Sequence, residues 1–284
     1  MTSQRSPLQF REHFDRGTVF FRERPTLEGV LARRLLKATT PGDADLADHL
    51  IRERRRRSRM DGSIAGSLVM TARALWELMD LGAQPDHAGV VRLAGYLVMR
   101  QDQPGRWSDD GSAGDGFFSP GERSAPIAPL QLPSGTEFDD EDDARFVASC
   151  LALRAILRAG NENRRAVRTH LERLLALRTV DPHLAFVVLG AVGMAPPEYQ
   201  SRIGGLLAET GARQRDDGTW DGVTIFHAVD MLLSAPTAEA RAQVRRAAPF
   251  LANLQRASGA FDDTDSEVNA LIALRALDTA RTMG

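Results

Sequence analysis

The chain has 284 residues, 43% of them hydrophobic and 26% charged, which is enough to bury a sizeable core. A formal net charge of -2 gives no general attraction to nucleic acid or to an anionic membrane, although positions 52–59 are locally basic and read as the solvated end of a helix. A single cysteine, Cys150, excludes an internal disulfide framework; with no signal-like apolar start and no run long enough to span a bilayer, it leads to the expectation of a cytoplasmic protein.

Helical periodicity dominates from end to end, and no run alternates at period two with β-branched residues, so the expected fold class is all-α. In chain order the pattern predicts helices over 26–38, 43–57, 63–81, 85–100, 142–158, 161–177, 182–192, 196–213, 223–233, 238–254 and 266–281, with 8–14 a candidate twelfth. Alternate helices differ in character: Ser63 to Met70 is apolar on most sides, whereas His170-Leu171-Glu172-Arg173-Leu174 keeps a polar face. Helices apolar all round are buried and one-faced helices lie outside, so the two sets read as an inner and an outer ring.

A short phrase recurs between them. It reads Gln101-Asp102-Gln103-Pro104-Gly105-Arg106-Trp107, then Gln214-Arg215-Asp216-Asp217-Gly218-Thr219-Trp220, then Gln255-Arg256-Ala257-Ser258-Gly259-Ala260-Phe261, with a fainter copy at Arg59-Met60-Asp61-Gly62-Ser63. Self-similarity at a spacing of roughly 40 residues marks stacked helical hairpins, each unable to bury its own apolar face. The expectation is one domain, 1–284, of about six hairpins around a central cavity. Asp61, Asp142, Asp181, Asp221 and Asp265 precede inner helices and are placed to cap them. The stretch at about 102–138 breaks the rhythm with many Gly, Pro, Ser and Asp residues, and loops of that length are commonly lids or binding loops.

That stretch runs into Asp139-Asp140-Glu141-Asp142-Asp143, the most acidic cluster of the chain. Clustered carboxylates cannot all ionise cheaply, so one is driven toward the protonated state of a general acid. The same residue types equally make a capped turn, and Asp139, Asp140 and Asp143 resemble the Asp-Asp-x-x-Asp motif of class I synthases and prenyl-chain enzymes, a resemblance that implies magnesium-diphosphate binding.

The Gln101 to Trp107 and Gln214 to Trp220 phrases resemble the repeats of the terpenoid cyclase and protein prenyltransferase superfamily, whose members form an α/α toroid. The Asp140-Glu141-Asp142-Asp143 run is similar to the Asp-x-Asp-Asp motif of class II terpene cyclases. That resemblance implies protonation-initiated cyclisation of a small isoprenoid or prenyl diphosphate, with Asp142 as the acid and Asp140 and Asp143 tuning it. It implies no resident cofactor, or Mg2+ in the diphosphate reading. Arg145 would meet any diphosphate, and Phe146, Trp76, Phe186, Phe226 and His227, on candidate inner helices, would line the substrate cavity. The zinc site of the prenyltransferases is matched only by Cys150 and His227, with no aspartate two residues before the cysteine. Aromatics amount to only 6%, and the chain has no room for the second helical domain of larger cyclases. A toroid that binds an apolar ligand or a partner protein, as a homo-oligomer or with a partner subunit, is therefore the competing expectation.

Overall fold

A computed structural model describes residues 10–100, 118, 126–177 and 181–282. Among the described residues it contains twelve α-helices: α1 Arg11–Phe21, α2 Leu27–Leu35, α3 Gly42–Arg57, α4 Leu68–Leu81, α5 Ala88–Val98, α6 Glu141–Arg158, α7 Arg165–Ala176, α8 Pro182–Val192, α9 Gln200–Ala212, α10 Ile225–Leu233, α11 Ala238–Leu254 and α12 Glu267–Arg281. A short antiparallel hairpin, β1 Leu130–Gln131 and β2 Glu137–Phe138, precedes α6. The expected all-α class holds. The hairpin was hidden within the stretch expected to be a loop, because two-residue strands carry no periodic signal.

The even-numbered helices close a ring. α2 packs on α4, α4 on α6, α6 on α8, α8 on α10, α10 on α12, and α12 returns to α2. The odd-numbered helices sit outside: α3 rests on α2 and α4, α5 on α4 and α6, α7 on α6 and α8, α11 on α10 and α12, and α1 covers the seam between α12 and α2. α8 is apolar on every side and buries Phe186 to Val192 without a break, whereas α7 buries only one stripe, Val167, His170, Leu171, Leu174 and Leu175. The inner and outer assignment made from these patterns therefore stands.

The recurring phrase is the joint between rings. Gln214 donates from Nε2 to the carbonyls of Gly218 (2.9 Å) and Gln243 (2.9 Å), and its Oε1 accepts from Arg246 Nε (2.6 Å). One side chain thus ties the turn before α10 to the outer helix α11. Gln255 repeats the device across the seam, donating to the carbonyls of His13 (3.0 Å) and Gly259 (3.3 Å). Trp220 fills the space beneath its turn and donates from Nε1 to the carbonyl of Thr210 (2.9 Å). The copy ending at Trp107 lies outside the described residues.

The caps differ from expectation in an instructive way. Asp181 does cap α8, accepting from Leu184 N (3.0 Å). Asp61, however, accepts from Ser63 N inside its own turn (2.9 Å), and Ser67 caps α4 instead. Asp265 adopts a left-handed backbone and Ser266 caps α12, while Asp221 pairs with Arg215 (2.7 Å). Asp61, Asp217 and Asp262 close Asx-type loops inside the turns, Ser67 and Ser266 cap α4 and α12, and Thr224 before α10 makes no side-chain cap bond. Among the described residues no helix is long and apolar enough to cross a membrane.

Candidate active site

The expected acid cluster sits at the first turn of α6. Asp140 is its N-cap, with Oδ1 accepting from Asp142 N (2.9 Å) and Asp143 N (3.0 Å). Glu141 turns back to accept from Ile127 N and Ala128 N (both 2.9 Å) and pairs with Arg145, so it pins the incoming segment to the helix. Asp139, Asp140 and Asp142 are exposed and Asp143 is half-buried. Burial, followed by the nearby charges of Asp140, Asp181 and Asp142, raises the Asp143 carboxyl above its usual range. Among the described residues nothing shields Asp142 from water as a strong general acid requires.

The magnesium reading fits no better. Asp140 is committed to two amides, and among the described residues no group of three or more His, Cys, Asp or Glu side chains is arranged to hold a metal. Cys150 is fully buried, with its thiol pushed up by burial, which suits a packing residue.

The inner helices surround a cavity that is open to solvent at its mouth. Its wall is largely aliphatic: Leu27 and Leu31 come from α2, Val69 and Ala72 from α4, Leu151 from α6, Met231 from α10, and Val268, Leu271 and Ile272 from α12. The tip of the hairpin, Gln131 to Pro133, closes one side. Of the expected substrate-binding residues only Trp76 is on this wall. Arg145 is tied to Glu141, and Phe146 and Phe226 are buried among the helices. Phe186 packs edge-on against Trp220 (5.2 Å between centroids) and near His227 (6.3 Å), in the layer between α8 and α10. Arg145, Phe146, Phe186, Phe226 and His227 thus lie off this wall, because inner helices bury side chains against their neighbours as well as toward the cavity.

The cavity wall also carries charge that sequence reasoning missed. Arg154 forks onto Asp230, Nη1 to Oδ2 at 2.9 Å and Nη2 to Oδ1 at 3.1 Å, while its guanidinium lies 4.3 Å from the Trp76 ring centroid. Asp80 is clasped by Arg158 (3.1 Å) and Arg275 (3.2 Å). Glu77 accepts from Arg54 and Arg73, both at 2.9 Å. Burial alone would raise the Asp230 carboxyl, but the charge and hydrogen bonds of Arg154 outweigh it and hold Asp230 below its usual range. The fourth carboxylate of the wall, Glu28 of α2, is in no ion pair among the described residues. A signal for this set existed. Arg73, Trp76, Glu77 and Asp80 recur at three- and four-residue spacing on a helix that is otherwise apolar, as do Arg154 and Arg158 on α6.

No protein-family profile matches the chain, and no curated protein matches it. Among solved structures it is similar to the type II terpene cyclase MstE from Scytonema, in a variant with an Asp-to-Asn substitution bound to its substrate geranylgeranyl dihydroxybenzoate. That alignment covers 98% of this chain and 99% of that one, at 14% identity and a TM-score of 0.60. The ligand-free form of the same cyclase aligns over 99% of this chain and 100% of that one, with the same identity and TM-score. At 14% identity the likeness is one of architecture: the chain has the all-helical toroid fold of a type II terpene cyclase.

Proposed function

We propose that this chain cyclises a small isoprenoid by protonating it inside the central cavity. The observation that carries the reading is the cavity itself: a closed ring of inner helices whose wall is aliphatic, with carboxylates set into it. Cyclisation by protonation needs a shaped apolar space that excludes water, a proton donor, and no base able to quench the cation before the ring closes. The fold shared with MstE, a cyclase crystallised with a geranylgeranyl aromatic acid, supports the same substrate class.

The charge pattern narrows what enters. Arg73, Arg154 and Arg275 line the cavity, and each is already paired, with Glu77, Asp230 and Asp80 respectively. A diphosphate would have to break one of these pairs, so the reading favours a prenyl chain whose head group is neutral or stays at the mouth. Within the Asp139 to Asp143 cluster, which is not part of the cavity wall, Asp143 is the candidate proton source, being half-buried with its carboxyl raised.

A non-catalytic toroid that binds an apolar ligand is the second reading. Its support is Trp76, the aromatic ring of the cavity wall, whose face is occupied by the Arg154 guanidinium rather than open to a carbocation. One experiment separates the two. Purified protein is incubated with geranyl, farnesyl and geranylgeranyl diphosphates, the corresponding alcohols and a geranylgeranylated aromatic acid, and the extract is analysed by mass spectrometry. An isomer of the substrate with fewer double bonds supports the cyclase. Unchanged substrate that co-purifies with the protein supports the binder.

A further inference from the structure

Four carboxylates line the central cavity, and their surroundings divide them three to one. Glu77, Asp80 and Asp230 are each held by arginine at 2.9–3.2 Å. A carboxylate bound in this way has its oxygens committed to guanidinium hydrogen bonds, which a proton transfer to an alkene would have to displace. Glu28 projects from the first turn of α2 beside Leu27 and Leu31, half-buried and, among the described residues, with no ion pair of its own.

We infer that Glu28 is the proton donor of the cavity, set on the aliphatic wall where a prenyl chain would lie. The inference rests on the cyclase reading above and replaces the Asp139 to Asp143 cluster as the source of the proton.

The groups around Glu28 are consistent with this role. Glu77 on α4 and Glu267 on α12 face it with negative charge, and both are already committed, Glu77 to Arg54 and Arg73 and Glu267 to Arg24 and Thr26. Arg73 on α4 is the nearby cation, and it is engaged by Glu77. Burial, opposed by a hydrogen bond from the Glu28 backbone and reinforced by the two carboxylates, raises the Glu28 carboxyl above its usual range.

The step balances without a further reactant. The π pair of an alkene takes the proton from the Glu28 carboxyl, so that a C–H bond forms and the O–H bond breaks, leaving carboxylate. The resulting cation is attacked by the next double bond and the ring closes. Loss of a proton from a carbon beside the final cation, to the carboxylate or to water, leaves a product isomeric with the substrate and the enzyme ready for reprotonation.

Two measurements test it. In the first, infrared difference spectra of the ligand-free protein, wild type minus Glu28→Gln, are followed through a pH titration. A protonated carboxyl band that outlasts the ionisation of the exposed carboxylates is expected. A Glu28 that ionises together with them overturns the inference whether or not a substrate has been found. In the second, Glu28→Gln, Glu28→Asp, Asp142→Asn and Asp143→Asn are compared on a substrate that the wild type cyclises. Glu28→Gln should lose at least about a hundredfold in kcat with KM little changed and helical content intact, and Glu28→Asp should recover part of the rate. Loss of turnover in Asp142→Asn or Asp143→Asn with Glu28→Gln still active overturns the inference and leaves the cyclase reading standing. A wild type that converts nothing fails the cyclase reading, and the infrared titration then decides the state of Glu28 by itself.

Discussion

His227 shows what burial does to one side chain in this fold. It lies fully buried on α10, with Nε2 donating to the carbonyl of His183 at 3.2 Å and Nδ1 without a hydrogen-bond partner. A second proton would place an unpaired, charged N–H in the core, and burial accordingly pulls the imidazole down to about 4 from an ordinary 6.5. The folded-state value is depressed, so the stability is fully present above pH 6.5, where the unfolded chain is also neutral, and is lost as pH falls through 4. His170, pulled down to about 3 by its own burial, acts in the same direction. Urea unfolding of wild type between pH 7 and 4 should therefore steepen in its loss of stability with acid. His227→Gln should remove about one proton's share of that slope, ~1.4 kcal/mol per pH unit at most. An unchanged slope in the variant would mean that His227 is protonated in the folded state. At this scale the sequence was least informative. His227 was visible as a polar residue on an apolar helix, but the carbonyl that orients it belongs to His183, 44 positions away.

At the scale of the element, the recurring glycine carries the repeat. Gly218 has a φ of +87°, and a Cβ added there would sit 2.1 Å from the carbonyl oxygen of Arg246 on α11. Gly62 and Gly259 repeat the geometry against the carbonyls of Arg92 on α5 and Arg16 on α1, at φ values of +89° and +92°. The turn must lie on the backbone of the outer helix so that its glutamine can reach that helix's carbonyls, and only glycine allows both the approach and the left-handed conformation. Gly218→Ala should cost about 2 kcal/mol or more by chemical denaturation, whereas Gly204→Ala, which has open space around it on α9, should stabilise by about 0.5–1 kcal/mol. Equal effects of the two substitutions would sink the close-approach argument. These elements were legible in the sequence because turn chemistry and helical period are local, and α8 and α11 begin and end where the pattern placed them. α4 was not: positions 63–67 were read as its first turn, but Ala65 and Gly66 adopt positive φ and Ser67 begins the helix.

For the whole molecule, closure of the ring separates this chain from an open solenoid. In an open array each repeat touches only its neighbours and stability sums along a line. Here α12 packs on α2, Arg24 and Thr26 bond Glu267, and Gln255 bonds His13, contacts that span more than 240 positions. Opening any one joint therefore frees both ends of a closed circuit. The expected consequence is a single cooperative transition, with Trp76 on α4 and Trp220 before α10 reporting the same midpoint in urea. Gln255→Ala at the seam should lower that common midpoint for both reporters. Two separated transitions would show that the ring unfolds as independent halves.

The sequence by itself determined the class of this protein, the alternation of inner and outer helices, and the turn that joins them. Each of these is written in the spacing of apolar residues or in the chemistry of a few adjacent ones. Only the tertiary structure decided where the reactive groups meet. It placed the conspicuous acid cluster in a helix cap, where Asp140 accepts from the amides of Asp142 and Asp143. It brought Glu28, Glu77, Asp80 and Asp230, dispersed over three helices and about two hundred positions, onto one wall and gave arginines to all but the first. The physical reason is that periodicity records which face of a helix is buried, whereas the partner met by a charge on that face depends on how the ring closes.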